Sequence, residues 1–220
     1  MFKYETHLHT SEVSACANAS GAAQARFYKS NGYTGIIVND HFFNGNSTIP
    51  HDLSWAEKVE RFCAGYENAR KCGEEIGIDV FFGWEYSYKG SDFLTYGLDK
   101  EWLMRNPVIM EMDVNSYCDY VRDNGGIIIH AHPFREASYI SMIRLLPRKC
   151  DGVEIVNSNR TELENRMAAI YAENYGMLPF AGSDNHTAAQ ERLNGVSFES
   201  PITDMADFND RIKNKKYRLF

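Results

Sequence analysis

The chain predicts an α/β fold of βα units around a largely parallel sheet, because short apolar runs alternate with helix-like segments and because histidines and carboxylates close most of those runs. The runs lie at 2–6, 35–39, 80–84, 127–129, 153–156, 178–181 and 196–198. Several are apolar on successive residues rather than alternately, the pattern of strands covered on both faces in a parallel sheet. In parallel barrels the loops after the strands gather side chains from several strands into one mouth. Polar residues at the C-terminal ends of these runs are therefore expected to meet.

The first run ends in THLHT, where His7 and His9 are two residues apart, and a strand places both imidazoles on one face. A helix is expected over 19–31. The second run ends in NDH, with His41, and a long helix is expected over 53–76. The third leads into GWE, with Glu85, while 95–98 reads either as a further strand or as a hairpin return. Asp113 and Gly125-Gly126 bracket a helix over 114–124 as N-cap and stop. The fourth run ends in HAHP, with His130 and His132, before a helix expected over 137–145. A helix over 161–175 separates the fifth run from the sixth, which ends in GSDNH with Asp184 and His186, and a last helix is expected over 205–214.

Composition sets the bounds. The chain has 220 residues, 44% of them apolar and 24% charged, which suits a single globular domain over 1–220. No cationic, apolar leader and no membrane-length apolar run is present, so a cytoplasmic protein without membrane partners is expected. The five cysteines, Cys16, Cys63, Cys72, Cys118 and Cys150, are odd in number and form no Cys-x-x-Cys pair, as reduced thiols would. A net charge of −7 disfavours a sequence-independent grip on long nucleic acid, which depends on Lys and Arg neutralising phosphates. Oligomeric state is not legible.

Neutral imidazoles and carboxylates ligate borderline and hard divalent ions, so a convergent set of them reads as a multi-metal hydrolytic site. More N and O ligands are present than one four-coordinate ion needs, which points to two or three ions. THLHT, NDH, GWE, HAHP and GSDNH, in this order across nearly the whole chain, resemble the PHP (polymerase and histidinol phosphatase) family. The resemblance implies a distorted (β/α)7 barrel, up to three divalent ions (Mn, Zn or Fe, with Mg also admissible) and metal-dependent phosphoesterase activity. It assigns metal binding to His7, His9, His41, Glu85, His132, Asp184 and His186, with Glu85 as the bridging carboxylate. Two positions depart from the family pattern. Asp92 stands where the family often has histidine, and it remains a candidate ligand that favours oxygen-liking ions. After the first motif the usual ligand has no clear counterpart; Glu12 is preferred to Cys16, as a carboxylate suits an oxygen-rich set better than a soft thiolate.

Arg135 and Arg160 follow strand ends on the expected mouth and are the candidates for gripping phosphate oxygens, in binding and in the transition state. Arg192 is a weaker third. Asn157 either lines the mouth or caps the next segment. His186 and His130 are the candidates for assisting the leaving group, His130 alternatively orienting a ligand. The expected substrate is a small phosphomonoester, a nucleotide or a short oligonucleotide end. The competing readings are a non-catalytic scaffold stabilised by metal and an amidohydrolase-type enzyme, the latter lacking an obvious bridging lysine.

Overall fold

The computed structural model describes residues 1–220. Its strands are β1 (Phe2–Leu8), β2 (Gly35–Val38), β3 (Asp79–Tyr88), β4 (Ser91–Tyr96), β5 (Ile127–Ala131), β6 (Gly152–Asn157), β7 (Leu178–Gly182), β8 (Val196–Phe198) and β9 (Arg218–Leu219). They form one sheet in the order β7-β6-β5-β4-β3-β2-β1-β8-β9. β1, β2 and β3 are parallel, as are β5, β6 and β7, while β4 runs against both of its neighbours, β3 and β5. Residues 95–98 thus begin within a hairpin return. Its turn is Lys89-Gly90, both at positive φ, the two-residue geometry whose twist matches the strands it joins.

The sheet curls into a nearly closed barrel, and β1 makes the seam. Its lower half pairs antiparallel with β8. Its upper half meets the end of β7: Thr6 Oγ1 donates to the Ala181 carbonyl at 2.6 Å, Asn185 N to His7 O at 3.2 Å and His9 N to Asn185 O at 2.9 Å. The expectation of a distorted α/β barrel is borne out.

Helices α1 (Gly21–Ser30), α2 (Trp55–Phe62), α3 (Ala64–Ile76), α4 (Lys100–Arg105), α5 (Val114–Asp123), α6 (Glu162–Tyr175) and α7 (Met205–Lys213) complete the structure. Capping explains several starts. Ser54 and Thr161 each form a reciprocal capping box with the glutamate three residues on, and Asp113 accepts from Asn115 N and Ser116 N. The helix expected over 53–76 is two helices joined at Cys63, so that α2 packs on α4 while α3 packs on α1. At the second contact Gly65 has no room for a side chain, since a Cβ there would lie 2.0 Å from Thr10 Oγ1.

The helix expected over 137–145 does not form. No neighbouring face buries its apolar residues: Tyr139, Met142, Ile143 and Leu145 stay exposed. The barrel interior is filled by Tyr4, Leu94, Tyr96, Ile129, Phe180 and Phe198, and α7 closes its base with Phe208 and Ile212. Each of those two fully buried side chains contributes about 2 kcal/mol. With the base plugged, the only polar concentration in the barrel is at the opposite end. No helix is long and apolar enough to cross a membrane.

Candidate metal centre

Five of the seven histidines gather at the mouth, and the local chain, not spacing alone, decides which enter it. β1 delivers His7 and His9 from its upper end, where its register with β2 shifts between Glu5 and Leu8. His41 follows β2 and pairs with Glu85 of β3 in an isolated bridge. His132 and Asp184 each stand just past a strand end at positive φ, 26° and 54°, a left-handed turn that re-aims the side chain into the mouth.

These side chains converge. Three overlapping groups have ligand atoms within 4.8 Å of one another: His9, His41 and His186; His7, Glu85 and His132; His7, His9 and Asp184. His7, His9, Glu85 and Asp184 are essentially buried. Two nitrogens at about 2.1 Å from a tetrahedral ion are about 3.4 Å apart. The observed separations cluster there: His7 Nε2 to His9 Nε2 3.2 Å, to Glu85 Oε1 3.3 Å and to Asp184 Oδ1 3.5 Å; His9 Nε2 to Asp184 Oδ1 3.4 Å; His132 Nε2 to Glu85 Oε1 3.3 Å. Both Glu85 oxygens and His41 Nδ1 are buried without a hydrogen-bond partner, although the 2.7 Å approach of His41 Nδ1 to Glu85 Oε2 is the shortest in the cluster. Carboxylate oxygens buried without hydrogen-bond partners, beside imidazoles at ligand-to-ligand spacing, call for a cation, so the donor set fits divalent metal.

The charge state fits as well. Burial works to raise Glu85 and Asp184, but the facing histidines outweigh it and hold both carboxyls well below the usual range. Burial lowers His9, and the neighbouring His186 and His41 lower it further, so its imidazole is neutral and its lone pair free. For His7 burial is overcome by Glu154, Asp184 and Glu85, which raise it well above the ordinary value in the absence of metal.

Residues behind the cluster aim it. Glu154, fully buried on β6, meets His7 Nδ1 at 2.9 Å and accepts from His132 N at 3.1 Å and Asn157 Nδ2 at 2.8 Å. Asp40 accepts from Thr10 N, Thr10 Oγ1 and Ser14 Oγ at 2.6–2.7 Å, and Ser14 Oγ in turn meets His9 Nδ1 at 3.1 Å and His41 N at 3.0 Å. Burial pushes Asp40 up to about 6 against those hydrogen bonds.

The cluster opens into a cleft of about 490 Å³, lined among others by Cys16, Asn46, Asp92, Arg135, Tyr139 and Arg160. That volume suits a small ligand.

Comparisons place this architecture. A sequence model of the PHP-associated family matches residues 162–217. The chain superposes over its full length on a two-domain Bacteroides vulgatus protein containing a predicted PHP-like metal-dependent phosphoesterase, with 15% identity and a TM-score of 0.76, spanning 64% of that protein. The chain shares the fold of this PHP-like protein. A candidate metal-dependent phosphoesterase of Bifidobacterium adolescentis shares this PHP-type fold at 13% identity and TM-score 0.59, covering 95% of each chain. An amidohydrolase from Chromobacterium violaceum, with bound sulfate and no metal, does so at 12% identity and TM-score 0.60, covering 98% of this chain and 97% of that one. No curated protein matches the chain in sequence.

Several residues that the sequence offers as candidates stand differently in the barrel. Glu12 turns away from the mouth: its carboxylate accepts from Gly21 N at 3.1 Å, at the start of α1, and from Asn68 Nδ2, while Cys16 takes the place at the cleft with Sγ 3.2 Å from His41 Nε2. His130 points out of the barrel, stacked on Phe93 at 4.7 Å and edge-on to Tyr171, with neither ring nitrogen bonded; burial and the nearby His132 push it down to about 3. It therefore orients no ligand and reaches no leaving group. Asn157 is buried behind Glu154 and Asp184 rather than lining the mouth. Asp92 does line it, because antiparallel β4 starts there, but Oδ1 accepts from Ser87 Oγ at 2.6 Å and Oδ2 faces Arg135 at 3.6 Å. Arg192 is exposed and lies outside the cleft lining.

Proposed function

We propose that the chain is a metal-dependent phosphoesterase acting on a small phosphomonoester at a di- or trinuclear centre held by His7, His9, His41, Glu85, His132, Asp184 and His186. The observation that carries this reading is the set of His, Glu and Asp lone pairs at ligand-to-ligand spacing, opening on a cleft that also holds Arg135 and Arg160. When bound, divalent ions supply Lewis-acid stabilisation of phosphoryl oxygens and lower the pKa of water.

The chain's own residues do the rest. Arg160 has a buried Nε without a hydrogen-bond acceptor, so its guanidinium is available for the planar, bidentate grip that phosphate oxygens favour. Arg135 is held against Asp92 and over the ring of Tyr139, ready to follow the transferring group. His186 Nδ1 lies 2.9 Å from the Asp184 carbonyl, to which it can only donate, so the neutral ring presents its Nε2 lone pair for metal or for a proton. Asn159 Nδ2 donates to the same carbonyl at 2.5 Å and fixes the turn that carries Asp184.

Amide hydrolysis is the competing chemistry, given the amidohydrolase with this fold. Two arginines beside the ligand cluster favour the doubly charged phosphate over a neutral amide. The deciding experiment loads purified protein with Mn, Zn or Fe, counts bound ions by elemental analysis, and assays a panel of phosphomonoesters, nucleotides and amides. Two or three ions with phosphomonoester turnover, abolished by Asp184→Ala and by His9→Ala, is the expected result. Turnover of amides alone, or near-normal phosphatase activity in either variant, overturns the proposal, and metal that raises stability without any turnover marks a scaffold.

A further inference from the structure

Of the five cysteines, four are buried and Cys16 alone is exposed. Free cysteine ordinarily packs as a small hydrophobe, so an exposed one held against histidines in a cleft calls for a reason. The loop that carries it is pinned: Ala15 N donates to Asn46 O at 2.9 Å, Ala17 N to Ser14 O at 3.0 Å, and Ser14 Oγ to Asp40 at 2.7 Å. Sγ is thereby set 3.2 Å from His41 Nε2. A sulfur and a nitrogen sharing one tetrahedral ion are about 3.6 Å apart, which a shift of a few tenths of an ångström provides. The rings of His41 and His186 each lie 4.3 Å from that of His9, so three imidazoles gather at this end of the cleft. At the other end of the cluster Glu85 and Asp184 make the donor set richer in oxygen, and both Glu85 oxygens lack hydrogen-bond partners.

We propose that Cys16 is a thiolate ligand, making one end of the cleft a sulfur and nitrogen subsite for a borderline or soft divalent ion beside an oxygen-richer subsite for a harder one. This rests on the reading of the cleft as a metal centre, and the test separates the two.

Metal-stripped full-length protein is titrated with cobalt(II) chloride, and bound cobalt is counted while absorption is recorded for wild type and Cys16→Ser. The expected result is a sulfur-to-cobalt charge-transfer band in the near ultraviolet for wild type, lost in Cys16→Ser while the visible cobalt bands persist. Visible cobalt bands without charge transfer in wild type overturn the cysteine proposal and leave the metal centre standing. No cobalt retained by wild type overturns both. Because the variant can fail to fold, alkylation of wild type is followed in parallel by peptide mapping: cobalt should slow labelling of Cys16 by roughly tenfold or more, since a ligated thiolate is no longer a free nucleophile. Equal labelling rates with and without bound cobalt overturn the proposal.

Discussion

Glu154 touches His7, His132 and Asn157 at once, and none of the five motifs contains it. Partners of this kind orient ligands and keep them basic, and their loss typically costs 10–100-fold in metal affinity. Glu154→Gln is expected to weaken metal binding by that order with the fold intact, measured by competition against a chelator of known affinity. Arg160→Ala removes a charge-assisted contact worth about 1.5–3 kcal/mol, so kcat/KM on a phosphomonoester should fall roughly 10- to 100-fold. His130 makes the opposite prediction. Its pKa is depressed in the folded state, so the unfolded chain takes up the proton first, and stability declines as pH falls from the ordinary value of about 6.5 towards about 3. His130→Phe should raise Tm, more at pH 5 than at pH 8, because it replaces two unpaired buried nitrogens with apolar surface. At this scale the sequence was legible where a residue type has one chemistry and the strand ends where expected. It was not legible for His130, which its neighbour's left-handed turn separates from the mouth, nor for Glu12, whose carboxylate serves the start of α1. Glu154 did leave a trace, as a lone carboxylate inside the apolar run of β6.

At the scale of elements, α3 reaches the site through a glycine. A Cβ on Gly65 would lie 2.8 Å from Asp40 Oδ2 as well as against Thr10, the pair that fixes the loop carrying Ser14 and the backbone of His41. Gly65→Ala should cost about 1–3 kcal/mol of stability, read by denaturant unfolding, and should loosen metal binding although position 65 touches no ligand. Strand positions were readable because buried parallel strands need continuous apolar runs. The break at Cys63 was not, because both halves of 53–76 are helix-forming and only the packing of α2 on α4 and α3 on α1 separates them. The segment 137–145 was misread for the complementary reason: helical content without a face to bury stays irregular.

For the whole molecule, the ligand set spans the seam: His7 and His9 come from β1, while Asp184 and His186 follow β7 across the gap. An ion shared between them, as proposed, would tie the barrel shut. At a metal concentration about 1,000 times Kd, binding adds about 4 kcal/mol. For a chain of this size that is a rise in Tm on the order of 10 °C, lost on chelation and restored by metal in a thermal melt. The βα units were foreseeable from the alternation of runs and helices and the barrel from the ordered motifs, whereas its antiparallel strand was not, since 95–98 fits a return as well as a new unit. That strand gives the sheet a pairing that is local in sequence. Every parallel pair in the sheet must close a long loop before it gains anything, but β3 and β4 are joined by two residues and bring their ends together at little entropic cost. Substituting Gly90, at φ 84°, should therefore slow refolding more than it speeds unfolding in a chevron measurement. Glu85 and Asp92 both ride on this hairpin. Slower refolding in that variant would mean that the acidic wall of the cleft is laid down early, as a nucleus around which the histidine-bearing strands are later recruited.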